Sequence, residues 1–172
     1  MAFNSARVKP GGRCKQTPAR RARLAAAANN LQIMTMKWIH WDKVLATGHL
    51  ILDTDHEHLV DLFNQLATSV KERQGKIACA ELLETIIQYA KRHFAFEEQL
   101  MADEHYPKID YHAAEHFRLI KQAIRYKAKF EAGEPESHIS LIHFPEDWLT
   151  FHILTADKEL ATFLSAAAEQ PG

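Results

Sequence analysis

Histidine and carboxylate side chains recur in this sequence at spacings that suit one face of a helix. The chain has 11 histidines among 172 residues. Two pairs on the inward side of predicted helices are four residues apart: His93 with Glu97, and His112 with His116. Residues i and i+4 of an α-helix share a face, so each pair can direct two donor atoms at one point. Imidazole and carboxylate donors without thiolate favour iron, zinc, copper or manganese over calcium or magnesium.

Three more ionisable residues fall on apolar helical stripes. His56 precedes Leu59 by three residues, His152 follows Leu149 by three, and Asp157 follows His152 by five. A single inward-facing histidine is most often a hydrogen-bonded core residue. Burying five imidazoles and two carboxylates together is costly without partners, and a cation removes that cost. The sequence therefore predicts a buried metal site made of seven side chains: His56, His93, Glu97, His112, His116, His152 and Asp157.

Four apolar stripes of helical period predict the elements that carry these residues. A capping box of Thr54 and Glu57 is expected to begin the first helix, and Gly75 to end it. The other three stripes cover about 77–103, 109–131 and 149–164. No alternating run with a hairpin turn appears, so strands are not expected. The predicted fold class is all-α, an antiparallel up-down four-helix bundle.

The fourth helix is predicted to have irregular backbone. Pro145 in its lead-in predicts a kink or a separate helical segment. His152 and Asp157 would lie about 140° apart on a regular helix. A π-type turn would return them to one face, so a widened turn is predicted with its displaced carbonyl near Ile153 or Leu154. The alternative is that Asp157 reaches the site through its side-chain torsions alone.

The first 36 residues differ in charge from the rest of the chain. They carry seven basic side chains and no acidic one, whereas the other 136 residues carry 14 basic and 22 acidic groups, a formal charge of -8. Proline and glycine interrupt the segment, and no helical apolar stripe runs through it. Residues 1–36 are therefore predicted to be a non-helical, disordered N-terminal arm beside a bundle domain at 37–172.

Export, nucleic-acid binding and translation from a start upstream of Met34 are alternative interpretations of this arm. A secretory signal fits poorly because Asn29 and Asn30 cut its apolar stretch short. Positive charge alone would suit nucleic acid, but no aromatic or folded element accompanies it, so no nucleic-acid partner is expected. The sequence does not decide between a functional arm and over-translation.

Composition limits the class of protein. The chain is 47% hydrophobic and 25% charged, which excludes a disordered tail or a collagen-like fibre and favours one domain. Cys14 and Cys79 are far apart and form no C-x-x-C motif, so a disulfide framework is not expected. The protein is expected to be reduced and cytoplasmic. No apolar run approaches 18 residues, so membrane insertion is not expected.

Taken in order, the motifs resemble the single-domain bacteriohemerythrins. The resemblance spans about residues 38–165. It rests on Leu52-Asp53-Thr54-Asp55-His56, His93-Phe94-x-x-Glu97-Glu98, His112-x-x-x-His116 and Trp148-Leu149-x-x-His152-Ile153-x-x-x-Asp157. All seven ionisable positions are filled in the order and spacing of the family. Asp55 departs from the pattern, because it stands where the family usually has glutamine and adds charge beside the first ligand position.

The resemblance implies an oxo- or hydroxo-bridged pair of irons and no catalytic residue. It implies that one iron is bound by His112, His116 and His152, the other by His56 and His93, and that Glu97 and Asp157 bridge both. Two octahedral irons then keep one position open, on the iron with two histidines, where dioxygen would bind. The apolar residues expected to line a dry pocket there are Leu59, Phe94, Trp148, Leu149 and Ile153.

The function implied by the resemblance is reversible dioxygen binding, for oxygen storage, delivery or sensing, and not catalysis. One alternative is a di-iron oxidase, although ferritin-like oxidases use Glu and Glu-x-x-His donors. Another is an iron- or redox-sensing module, which would need a separate partner because no output domain is seen. The expected partners are dioxygen and either an oxygen-consuming enzyme or a signalling protein. The chain is expected to be a monomer.

Overall fold

The fold was analysed in a computed structural model, which describes Thr17 and residues 39–168 except 136, 138–139, 142–143 and 145. The described residues form helices and connecting turns, with no strand among them. The predicted all-α bundle is confirmed over this range. The N-terminal arm predicted at 1–36, with its alternative interpretations, lies outside the described residues.

Within the residues that the structure describes, three regular helices and one irregular helix form the bundle. Helix α1 is Leu50–Lys71, α2 is Lys76–Asp103 and α3 is Ile109–Ala132. The fourth contains two π-helical turns, Glu146–Thr150 and Ile153–Asp157, followed by an α-helix, Lys158–Ala168. We use α4 for residues 146–168 as a whole. Short connections at 72–75 and 104–108 make α1, α2 and α3 run antiparallel in sequence order.

Helix α1 begins one turn earlier than the capping box predicted. His49 is its N-cap, and the His49 side chain accepts a hydrogen bond from the Leu52 amide at 3.5 Å. Asp53 accepts from the backbone amides of Thr47 at 2.6 Å and Gly48 at 3.0 Å, which fixes the turn before the helix. Thr54 instead donates to the Leu50 carbonyl within the helix. The prediction of a Thr54 capping box was therefore wrong, because Asp53 and His49 supply the capping groups.

The end of α1 was also placed too late. The helix ends at Lys71, and Gly75 is the residue that precedes α2. Gly75 has a φ of 104°, in the region that favours glycine, so its role is to reverse the chain between the two helices.

Two apolar clusters hold the bundle together on either side of the ionisable layer. The larger cluster joins all four helices and includes Phe63, Leu83, Leu119 and Trp148. The smaller one, at the other end, contains Leu52, Met101, Tyr106 and Leu160. None of the described helices is both long and apolar enough to span a membrane.

Candidate metal centre

The seven ionisable residues singled out in the sequence meet in the interior of the bundle. Each side chain is buried, with residue exposures from 0 to 5%. Helix α1 contributes His56, α2 contributes His93 and Glu97, α3 contributes His112 and His116, and α4 contributes His152 and Asp157. Six of the seven sit on the inward stripes of their helices, so packing the helices together brings these six to one place without any special loop.

Helix α4 needs an irregular backbone to direct both His152 and Asp157 into the candidate site. The Lys158 amide bonds to the Ile153 carbonyl, five residues earlier, and Ile153–Asp157 is a π-helical turn. As a result His152 Nε2 lies 3.2 Å from Asp157 Oδ1. The predicted widened turn, with its displaced carbonyl at Ile153, is confirmed. Pro145 lies outside the described residues, and the π-helical turn Glu146–Thr150 that follows it was not predicted.

The donor atoms fall into two groups that share a carboxylate. One group contains Glu97, His112, His116, His152 and Asp157, and the other contains His56, His93 and Glu97. The Asp157 carboxylate also faces both groups, because its Oδ1 lies 3.1 Å from His112 Nε2 and its Oδ2 lies 3.1 Å from His56 Nε2. The arrangement is therefore two adjacent donor sets with two carboxylates between them.

The distances between these atoms show whether they are arranged to coordinate metal ions or to hydrogen-bond to one another. His116 Nε2 lies 3.1 Å from Glu97 Oε2, yet neither atom makes a hydrogen bond. The same holds for both Asp157 oxygens and for His56 Nε2 and His112 Nε2. Two ligands at about 2.1 Å from one ion and at a right angle are themselves about 3 Å apart. Close, buried donors that do not hydrogen-bond to each other fit metal coordination.

The charges of the site also suit a bound cation. Burial, followed by the nearby charge of Asp157, raises the pKa of Glu97 to about 8. Burial alone would raise the pKa of Asp157 too, but the imidazoles of His152, His112 and His56 around it bring its pKa well below the usual range. Two buried carboxylates this close cannot both ionise unless positive charge lies between them.

The imidazoles are suited to be neutral ligands. Burial lowers the pKa of His116 to about 4 and that of His152 to about 3. Both rings are therefore unprotonated near neutral pH. A neutral imidazole offers the lone pair that a metal needs.

Two contacts at the far side of the imidazole rings were not predicted. Asp55 Oδ2 lies 3.3 Å from His93 Nδ1, and Glu98 Oε1 lies 2.9 Å from His116 Nδ1. The sequence pattern placed Glu98 off the inward face because it directly follows the inward Glu97. In the structure Glu98 is half-exposed. A carboxylate within hydrogen-bond reach of a ligand's second nitrogen is a common support of metal sites.

The predicted pocket residues are all buried in the larger apolar cluster. They are Leu59, Phe94, Trp148, Leu149 and Ile153, each at most 4% exposed. Phe94 stacks on His116 with ring centroids 3.9 Å apart and an interplanar angle of 8°. It also lies 5.6 Å from Trp148 between ring centroids. The apolar cluster therefore reaches the donor atoms directly.

Comparison with known proteins decides the family. The model of the hemerythrin HHE cation binding domain matches residues 47–164, which include all seven donor residues. The chain belongs to the hemerythrin family. A bacteriohemerythrin of Stenotrophomonas maltophilia is 30% identical over 135 residues, which are 78% of this chain and 87% of that protein. One of Pseudomonas aeruginosa is 34% identical over 124 residues, 71% of this chain and 78% of that protein.

The similarity extends to a myohemerythrin. The myohemerythrin of Theromyzon tessulatum is 26% identical over 117 residues, covering 68% of this chain and 86% of that protein. Membership of the hemerythrin family implies oxygen binding at non-haem iron.

Proposed function

We propose that this chain binds dioxygen reversibly at a di-iron centre formed by the seven buried donors, for oxygen storage, delivery or sensing. The observation that carries the proposal is the division of the donors into two adjacent groups with Glu97 in common. A single metal ion would leave one group of buried imidazoles without a partner, which is costly.

The residues divide between the two irons as follows. His112, His116 and His152 would hold one iron, and His56 and His93 would hold the other, in keeping with the two donor groups. Glu97 and Asp157 would bridge them, because Glu97 belongs to both groups and Asp157 contacts a histidine of each. The group with two histidines supplies fewer protein donors, so it leaves room for a small ligand.

The protein's own contribution is to position neutral donors and to exclude water. When bound, the iron pair supplies a redox-active position at which dioxygen can bind and leave. The low pKa values of His116 and His152 keep these rings unprotonated, and Glu97 needs a neighbouring cation to ionise. The buried Leu149 and Ile153 keep water from the donors, which favours release of dioxygen over loss of electrons to solvent.

The donor set argues for binding over oxidation. Ferritin-like di-iron proteins use a Glu from each of two helices and Glu-x-x-His from each of two others. The site here has five imidazoles and two carboxylates. Nitrogen-rich coordination with few anionic ligands stabilises highly oxidised iron less well, so reversible binding is the expected chemistry.

Metal content tests the proposed site. The full-length protein, loaded with ferrous iron without oxygen and freed of excess metal, is expected to retain two irons per chain. Elemental analysis giving one metal per chain, or zinc displacing iron when both are offered, would contradict the proposal.

A further inference from the structure

A chain of contacts runs from Tyr89 through Asp55 to His93. The Tyr89 hydroxyl donates a hydrogen bond to Asp55 Oδ1 at 2.6 Å. The other oxygen of Asp55 lies 3.3 Å from His93 Nδ1. An ionised carboxylate can only accept, so this contact assigns the imidazole proton to Nδ1. His93 Nε2 then keeps its lone pair for the metal centre, where it lies 3.6 Å from Glu97 Oε1.

Tyr89 is held in place by two further side chains. The His58 ring packs against it with centroids 4.5 Å apart, and the Arg92 guanidinium lies 5.4 Å from its ring centroid. The hydrogen bond from His93 and that from Tyr89 lower the pKa of Asp55 despite its partial burial. Burial and Asp55 raise the pKa of Tyr89 to about 12, so the phenol stays a hydrogen-bond donor.

The two donor groups differ in the carboxylates that contact their imidazoles. We call the group with His112, His116 and His152 the first group and the group with His56 and His93 the second. Glu98 contacts His116 in the first group, but its side chain is 41% exposed. Asp55 contacts His93 in the second group, is 28% exposed, and has one oxygen fixed by Tyr89. His56 Nδ1, the other imidazole of the second group, has no hydrogen-bond partner within the described residues. Among the residues described, Asp55 is therefore the only carboxylate that contacts the outer nitrogen of an imidazole in the second group.

We propose that Asp55 and Tyr89 are positioning residues for His93 and determine how firmly the iron of the two-histidine group is held. The inference rests on the proposed di-iron function. Asp55 fixes the ring orientation and proton position of His93 and makes its Nε2 a stronger donor. Tyr89 fixes the orientation of Asp55. Loss of such a supporting carboxylate typically costs 10- to 100-fold in metal affinity.

The test follows iron release from the purified, diferrous full-length protein to a strong chelator, without oxygen. The wild type is expected to release two irons in two phases. The variants are Asp55→Asn, Tyr89→Phe and, for the other iron, Glu98→Gln. Glu57→Gln is the matched control, because Glu57 is an exposed carboxylate two residues from Asp55. Thermal melting followed by circular dichroism reports the folding of each variant.

Asp55→Asn is expected to accelerate one phase by about 10-fold. Tyr89→Phe should accelerate the same phase by a smaller factor, and Asp55→Glu should restore a rate close to the wild type. Glu98→Gln should act on the other phase, and Glu57→Gln on neither. If Asp55→Asn does not fold, Tyr89→Phe removes only a hydroxyl and still tests the inference.

Two outcomes separate this inference from the proposed function. A wild type that holds fewer than two irons would overturn the proposed function and this inference together. A wild type with two irons, and release unchanged or accelerated equally in both phases by Asp55→Asn and Tyr89→Phe, would overturn this inference alone.

Discussion

His152 and Asp157 are five residues apart in α4, yet His152 Nε2 lies 3.2 Å from Asp157 Oδ1. The π-helical turn Ile153–Asp157 makes this possible, with the Lys158 amide bonded five residues back to the Ile153 carbonyl. A π turn acts as a one-residue insertion in an α-helix. The backbone of α4 therefore helps to shape the candidate metal centre.

This relationship predicts that α4 tolerates a deletion better than an insertion. Removing Leu154, which is 38% exposed, would place the His152 and Asp157 side chains four apart, as in the His112 and His116 pair. We expect the deleted chain to keep two irons. Inserting an alanine after Leu154 should abolish iron binding, because the two side chains would then face different directions. Iron analysis of both chains checks this, and an iron-free deletion variant beside an iron-loaded insertion variant would contradict it.

Glu97 and Glu98 are expected to respond differently to the same substitution. Glu97 is fully buried and belongs to both donor groups, so Glu97→Gln should lose iron from the centre. Glu98 contacts only the outer nitrogen of His116, so Glu98→Gln should still hold two irons, with affinity reduced by about 10-fold. Iron per chain after extended dialysis measures the difference. Two irons retained by Glu97→Gln would show that it does not bridge.

Leu149 is expected to protect the oxygenated protein from oxidation. It is 3% exposed and lies in the cluster that contains Phe94 and Trp148. Leu149→Ser should admit water, shorten the lifetime of the oxygenated form and leave iron content unchanged. Leu154→Ser, a partly exposed leucine on the same helix, serves as the control. Equal lifetimes for Leu149→Ser and the wild type would contradict this role.

The basic arm is expected to be dispensable for the metal centre. Ile39 already packs on the bundle, since its amide and its carbonyl both hydrogen-bond to the Asn64 side chain, at 3.1 and 2.9 Å. A chain without residues 1–33 keeps this contact and all seven donors. We expect iron content unchanged and the melting temperature within a few degrees of the full chain. A large drop in melting temperature would show that the arm docks on the bundle.

Helical periodicity was enough to predict the four helices and the position of each donor. The spacing of His152 and Asp157 was enough to predict the π turn, because seven donors must reach one layer and a regular helix would turn one of them away. Both predictions depend on residues within one element. The start of α1 was misplaced because its N-cap is His49, whereas the residues that signal an N-cap in a sequence are Ser, Thr, Asp and Asn, as at Thr54.

Contacts between helices could not be predicted in the same way. Asp55 and Tyr89 are 34 residues apart and meet only when α1 packs on α2. Asp55 was identified as an added charge near the site, but its partners depend on the relative rotation of the two helices. The role of Glu98 was missed for the same reason, since His116 lies on another helix.

Oxygen equilibrium of the fully reduced, iron-loaded protein tests the proposed function most directly. Optical absorption should show uptake of one dioxygen per two irons, since only the two-histidine group leaves room for a ligand. Removing oxygen should return the spectrum of the reduced form, and the cycle should repeat with little loss. A single exposure that oxidises both irons without recoverable dioxygen would contradict reversible binding.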